Sequence, residues 1–411
     1  MTRVPHVLPS VEEIRRHFPA LARRDHGEQI AYFDGPGGTQ VPREVVDAMA
    51  DYLLNHNANT HWAYPTSEET DAAIAAARAA LAALLGASPH EIAFGANMTT
   101  LTFHLSRALG RGWGPGDEVI ITELDHHANQ APWRAIEKER GITIKVVPLD
   151  VETYELDWKA LERAFSKKTR LLAIGAGSNA LGTMPDVVQA TRLAHDAGAL
   201  SFVDAVHYTP HGVVDVQAID CDFLSCSAYK FYGPHIGVLY GKAERLAALD
   251  VPRLDPAPDT VPDRMETGTQ NHEGMIGAAA AVHFLRSLGS GADHRAQLVS
   301  AMGGLHAREA QLFARLWEGL GAIKGVTRYG PKPGRPRTPT VSFTVDGLSP
   351  EAAARALAKR AVFVSHGDFY AATVVDRLGL QPDGMIRAGV ACYTSEDEVE
   401  RLVAGVAALV R

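Results

Sequence analysis

The stretch Asp222 to Pro234, D-F-L-S-C-S-A-Y-K-F-Y-G-P, begins as a short apolar run and ends with a lysine just ahead of a Gly-Pro turn. An ammonium beside a buried strand is costly to desolvate. The cost is tolerable when the amine is neutral or held covalently, as in a Schiff base. Lys230 is therefore the first candidate for chemistry, although a lysine in such a place is, taken alone, more often a surface residue. Asp204 closes a second apolar run, S-F-V-D. A carboxylate there can keep a heteroaromatic nitrogen protonated, because a nearby negative charge favours the cation. It can equally cap the following turn. Asp125-His126-His127 follows a third apolar run. A flat imidazole can stack on a cofactor ring, bind a metal or simply face water. A metal site would recruit His207 and His211, but Pro210 breaks the helical i, i+4 pairing and no zinc-type spacing is present.

Two further groups can hold anions. Gly95 to Met98 sits between a strand pattern and a helix pattern, where backbone N–H groups can hold a phosphate. Neither a Walker-type nor a dinucleotide-binding glycine pattern occurs there. Arg387 ends an apolar run near the C-terminus, and a guanidinium suits a carboxylate through two parallel hydrogen bonds. A lysine, an aspartate, a stacking histidine, a phosphate turn and a carboxylate clamp are together the parts that a pyridoxal phosphate site requires.

The elements that must position these groups follow an alternating rhythm. Strands are expected at Glu91 to Phe94, Glu118 to Thr122, Thr143 to Pro148, Arg170 to Ala176, Leu200 to Asp204, Phe223 to Ser227 and Gly237 to Tyr240, with helical patterns between most of them. That rhythm implies an α/β fold with a mostly parallel sheet covered on both faces. Ligands in such folds sit at the carboxyl ends of the strands. Capping boxes are read at Ser10/Glu13, Thr66/Glu69 and Ser395/Glu398. Ile30 to Gln40, rich in glycine, reads as a tight turn. Beyond a proline-rich loop, Pro252 to Pro262, helices and strands suggest a smaller α+β domain. Residues 20–290 are taken as the large domain, and 1–19 with 291–411 as the small one.

With 411 residues, 46 % hydrophobic and 21 % charged, the chain is composed like a soluble enzyme. A net charge of −8 without basic runs argues against nucleic acid. No apolar stretch reaches membrane-spanning length. Three scattered cysteines, Cys221, Cys226 and Cys392, make no disulfide framework, and a reducing cytoplasm is expected.

The order and spacing of several motifs resemble aminotransferase class V, within the fold-type I pyridoxal phosphate enzymes, and in particular cysteine desulfurases of the SufS/CsdA type. They are Y-F-D-G-P-G-G-T-Q (32–40), D-H-H-A-N (125–129), S-N-A-L-G-T (178–183), V-D-A-V-H (203–207), S-A-Y-K-F-Y-G-P (227–234), E-T-G-T (266–269) and R-A-G-V-A-C-Y-T (387–394). The resemblance implies a large domain with a mostly parallel seven-stranded sheet and a homodimer acting on a small amino acid. It implies that Lys230 forms the Schiff base, Asp204 pairs with the pyridine nitrogen and His126 stacks on the ring. Ala96, Asn97 and Ser227 would hold the phosphate, Thr269 would reach the phosphate of the neighbouring subunit, and Asn179 and Arg387 would hold the substrate carboxylate.

Three departures from the family pattern matter. Ala96 and Asn97 replace hydroxyl residues in the phosphate turn. Tyr229 and His207 stand where desulfurases usually have histidine and glutamine, leaving Tyr229 for the phosphate and His207 for the phenolic oxygen. In the segment Phe363 to Ala371, expected as a mobile loop, Tyr370 occupies the place of the desulfurase nucleophilic cysteine. A phenol cannot accept sulfur as a persulfide, and Cys226 and Cys392 read as small core residues. Elimination of a β-substituent is then the expected reaction, as in related cystine and cysteine lyases, with Tyr370, His366 or Asp368 protonating the leaving group. An epimerase resembling isopenicillin N epimerase comes second, transamination third and a catalytically idle pyridoxal phosphate-binding protein last. Asn57, Asn59, His61 and Trp62 are expected at the entrance.

Overall fold

Strand and helix patterns alternate from residue 92 onward, and the computed structural model, which describes residues 8–410, gathers the strands into one large sheet. Its members are β1 (Ile92–Gly95), β2 (Glu118–Thr122), β3 (Thr143–Val147), β4 (Thr169–Gly175), β5 (Leu200–Asp204), β6 (Phe223–Ser227) and β7 (Gly237–Gly241). The order is β1-β7-β6-β5-β4-β2-β3, a seven-stranded sheet in which only β7 runs antiparallel to its neighbours. The central strands β4 to β7 are buried nearly throughout, which is why they read as continuous apolar runs rather than as alternation.

The covering helices have local causes. Helix α1 (Pro65–Leu85) begins with proline in its first turn and ends at Gly86 with φ 73°. The expected Thr66/Glu69 box does not form. Pro65 already presets the first turn, Thr66 lies inside the helix, and Glu69 instead meets His56 Nδ1 at 2.6 Å. The other two boxes form, at Ser10/Glu13 and Ser395/Glu398. Helix α2 (Met98–Gly110) is capped by Asn97. Helices α3 (His272–Ser287) and α4 (His294–Gly321) pack on α1 and on each other.

A second sheet combines β8 (Val326–Tyr329), β9 (Thr340–Val345), β10 (Ser365–Gly367) and β11 (Met385–Gly389) in the order β8-β9-β11-β10. The loop expected at Phe363 to Ala371 is therefore partly strand. β10 is too short and glycine-rich to announce itself, and its ladder partner β11 defines it. Val362–Phe363 pairs in parallel with Ala31–Tyr32, which draws the Ile30 to Gln40 turn toward this sheet. The final helix spans Glu396–Ala407; Arg411, like residues 1–7, lies outside the described part. Among the described residues no helix is long and apolar enough to cross a membrane.

Candidate active site

β1, β2, β5 and β6 end close together, and a cavity of about 630 Å³ opens there. Lys230, Asp204, His126 and Asn179 line it, as do Ala96, Asn97, Ser227, Tyr229 and His207. These residues come from five separate stretches of sequence, and the parallel strand order brings their ends together.

Lys230 follows β6 in a tight turn and is 8 % exposed. Its Nζ donates to the carbonyl oxygens of Pro36 and Gly37, the latter at 3.0 Å. The Asp34 carbonyl accepts from the N–H groups of Gly37 (2.7 Å) and Gly38 (3.1 Å), which folds the glycine-rich turn around the lysine. Burial, with the Arg387 charge, lowers Lys230 to about 7 against the pull of Asp204 and Asp34. Above that pH the amine is mostly neutral, the form that can attack a carbonyl or take a proton.

Asp204 is buried, and its Oδ1 accepts from Val206 N–H at 2.9 Å. Burial raises it to about 6, opposed by that hydrogen bond and by Lys230. A second carboxyl, Asp125, also lines the cavity, accepts from Thr122 Oγ1 at 3.0 Å, and is raised to about 8 by burial and by Asp204. Gly175, the register partner of Asp204, makes room for it: a Cβ there would lie 2.5 Å from Asp125 Oδ1. Burial raises both carboxyls and the Asp204 charge raises Asp125 further, so Asp125 is the more readily protonated of the two. No role of its own attaches to Asp125 in the sequence, although it opens the D-H-H-A-N motif. His126 Nδ1 accepts from Ala128 N–H at 2.9 Å, and burial, aided by Lys230 and Arg387, lowers the ring to about 4. It is a neutral, flat imidazole. His207 Nε2 meets the hydroxyls of Thr338 (2.9 Å) and Thr340 (3.2 Å), and burial holds it well below the usual histidine range.

At the anion end, Asn97 accepts from the N–H (2.9 Å) and hydroxyl (3.1 Å) of Thr100, while Ser227 Oγ accepts from Met98 N–H at 3.1 Å. A Cβ at Gly237 would collide with the Asn97 backbone, so glycine lets β7 pass beneath this turn. Tyr229 stacks on His235, centroids 5.0 Å apart and planes 13° apart. His235 lines the cavity too; its only sequence signal is its position just after Pro234.

Arg387 sits on β11 between Ser342 of β9 and Ser365 of β10. Its Nε donates to Ser365 Oγ (3.2 Å) and its Nη1 to the Asn179 carbonyl (3.0 Å). Ser365 corrects the reading of this segment, whose candidate polar groups were confined to His366, Asp368 and Tyr370. Burial lowers Arg387 to about 9, although it stays a cation near neutrality. Arg387 is buried and does not line the cavity; Asn179 does.

Like Arg387, Tyr370, His366, Asp368 and Thr269 stand apart from the cavity lining. Tyr370 is 74 % exposed, with its ring centroid 5.6 Å from that of His126. His366 is exposed on β10. Thr269 lines a separate cavity with Asn59, His61 and Trp62, so the expected entrance residues do not enclose Lys230 within one chain, and Asn57 lines neither cavity. No group of His, Cys, Asp or Glu that could hold a metal occurs among the described residues. All three cysteines are buried, as expected for Cys226 and Cys392.

The donor set fits pyridoxal phosphate. Buried His207 Nδ1 and Asn179 Oδ1, on two cavity-lining residues, have no hydrogen-bond partner among the described residues, as expected where a polar ligand completes the site. The helix N-terminus with Ser227 suits the phosphate, Asp204 the ring nitrogen and Lys230 the aldehyde.

The family model for aminotransferase class-V matches residues 31–402. A cysteine desulfurase of Dickeya dadantii (strain 3937) is 31 % identical over 412 residues, covering 96 % of each chain. A probable cysteine desulfurase of Halobacterium salinarum is 34 % identical, covering 96 % of this chain and 95 % of its own. Among solved structures, the apo cysteine desulfurase of Thermococcus onnurineus NA1 superposes with a TM-score of 0.88 at 28 % identity, covering 98 % of each chain. The Escherichia coli cysteine desulfurase CsdA, in its S-sulfonic acid form, gives 0.84 at 27 %, covering 97 % of this chain and 98 % of that one.

Proposed function

Because the chain belongs to the aminotransferase class-V family and is a pyridoxal phosphate-dependent, cysteine desulfurase-like enzyme, we propose that it is a carbon–sulfur lyase acting on cysteine, cystine or a related amino acid. One observation carries this choice. Cys221, Cys226 and Cys392 are all buried, with Cys226 pushed up to about 12 by burial, and none lies in the 363–371 segment, where Tyr370 is exposed. No thiol is therefore placed to accept sulfur as a thiolate.

Pyridoxal phosphate supplies an electron sink for the charge that develops at Cα. Lys230 would hold its aldehyde end, Asp204 its ring nitrogen, Ser227 and the first turn of α2 its phosphate, and His207 its phenolic oxygen. Neutral His126 covers a ring face. Asn179 and Arg387 hold the substrate carboxylate. Lys230, neutral above about pH 7, takes the proton from Cα. The Cβ–S bond breaks with its electron pair leaving on sulfur, and Tyr370 protonates the departing thiolate. Water completes the balance, giving pyruvate and ammonia beside the thiol.

Incubation with L-cysteine and L-cystine in deuterated water tests the reading. Pyruvate and sulfur product in equal amounts are expected. Alanine would point to persulfide transfer, deuterium at Cα of unconsumed amino acid without pyruvate to epimerisation, and a keto acid retaining its sulfur to transamination; any of these as main product sinks the proposal. The same reading includes a homodimer in which Thr269 reaches the partner's phosphate. Trp62 (60 % exposed) and Leu254 (67 %) beside the Thr269 cavity support it. Sedimentation of the holoenzyme is expected to give twice the 44.1 kDa chain mass, and a fully active monomer would exclude it.

A further inference from the structure

Arg387 is a carboxylate clamp that is closed. One face of its guanidinium carries the Phe369 ring, 4.1 Å from Cζ to centroid. Two of its edges are taken by Ser365 Oγ and the Asn179 carbonyl. The Asn179 amide Nδ2 donates to the Phe369 carbonyl at 2.9 Å. The same short turn thus covers the Arg387 guanidinium and takes the Asn179 amide, while Ser365 Oγ and the Asn179 carbonyl take two of the N–H edges that a carboxylate would use.

The turn is held against its own backbone preference. Phe369 and Tyr370 are consecutive residues at φ 58° and 56°, and Gly367 precedes them at φ 111°. Bulky residues rarely adopt this region, and two in succession persist only when the surroundings hold them. The holders are visible. His127 N–H donates to the Tyr370 carbonyl at 2.8 Å, Asn179 grips the Phe369 carbonyl, and Asp368 Oδ1 accepts from Tyr370 N–H at 2.9 Å. Two of these latches come from the large-sheet side of the cavity, against whose apolar core Phe369 and Ala371 also pack.

We propose that Phe369 is a plug in the clamp and sets the selectivity for carboxylate: the Gly367–Ala371 turn keeps the ring on Arg387 and the carbonyl on Asn179, and a substrate enters by displacing both with its α-carboxylate. The inference rests on the proposed assignment of Arg387 and Asn179 to that carboxylate. The exchange is selective because a carboxylate on an arginine fork makes two charge-assisted hydrogen bonds, which outweigh an aromatic face. A ligand without that charge has nothing to offer in return. The fraction of clamps open in the free enzyme lowers the apparent affinity for carboxylate ligands and for no others.

The test uses the holoenzyme, glycine as the smallest amine with a carboxylate, and methylamine as the same amine without one, both followed by the absorbance change of the bound cofactor. Phe369→Ala is expected to tighten glycine binding about fivefold to tenfold and leave methylamine unchanged. Phe369→Tyr is expected to behave as the parent. Unchanged or weaker glycine binding in Phe369→Ala overturns the plug. Arg387→Ala separates this from failure of the underlying assignment: if it leaves the preference for glycine over methylamine intact, Arg387 is not the clamp at all. If Phe369→Ala does not fold, stopped-flow on the parent enzyme decides. The plug requires the glycine rate to level off with concentration at the rate of opening while the methylamine rate keeps rising, and a glycine rate that keeps pace with methylamine overturns it.

Discussion

Asp204 and Lys230 stand at buried strand ends, whereas Tyr370 and His366 ride on an exposed segment fastened to the large sheet through two backbone carbonyls. The floor of the cavity is therefore fixed by a sheet whose interior strands are buried on both faces, and the rim by a few hydrogen bonds together with the packing of Phe369 and Ala371 on the core. Groups needed for any reaction at Cα belong on the floor, since proton transfer and charge stabilisation depend on positions held closely. The choice among reactions that follow Cα deprotonation can sit on the rim, where a cysteine or a tyrosine is accommodated without disturbing the core. The two regions also differ electrically. Burial moves Lys230, Asp204 and Asp125 toward neutrality, which brings these three groups to between about 6 and 8.

The comparison breaks first at Lys230. Lys230→Ala is expected to lower turnover by roughly 10³–10⁴-fold and to abolish the absorption band of the attached cofactor. In the unaltered protein stripped of cofactor, the rate of reattachment is expected to rise with pH through about 7, because burial has brought the neutral amine down to that range. An inflection near the ordinary lysine value would show that Lys230 is not desolvated as the floor requires. Next is Asp204→Asn, which removes the charge but not the shape. Turnover is expected to fall roughly 10²–10³-fold while the cofactor band persists, as measured by kcat and spectrum together.

The rim should respond less. Tyr370→Phe is expected to slow sulfur release about tenfold, below the usual contribution of a general acid because a thiolate already leaves readily. A fall as large as that of Asp204→Asn would place Tyr370 functionally with the floor and undo the distinction. Smallest is the simultaneous replacement of Cys221, Cys226 and Cys392 by alanine. Activity is expected within about twofold of the parent, with a loss of stability of roughly 1 kcal/mol per site read from denaturant midpoints. Loss of activity in a folded variant would restore a persulfide route.

Much of the floor was legible because each of its residues ends an apolar run: S-F-V-D at Asp204, F-L-S-C-S at Ser227, and the lysine three residues later. Residues at strand ends inherit their place from the strand, and a run of buried residues is easy to see. Asp125, His235 and Ser365 were passed over because their roles arise across chains of contacts. Asp125 matters only once Gly175 and Asp204 stand beside it, and Ser365 only once Arg387 of the neighbouring strand reaches it. The Thr66/Glu69 box shows the converse: a local signal was present and a stronger local one, Pro65, superseded it.

The sequence alone therefore determined which chemistry the chain can carry. Residue types, their order and the strand–helix rhythm are local properties, and they sufficed for the sheet and the cofactor. Tertiary structure alone decided what state those groups are in. The Lys230 amine rests on the carbonyls of Pro36 and Gly37, and Arg387 lies under Phe369, through contacts between residues far apart in the chain. Desolvation depends on what surrounds a group in three dimensions, and no spacing along the sequence measures it.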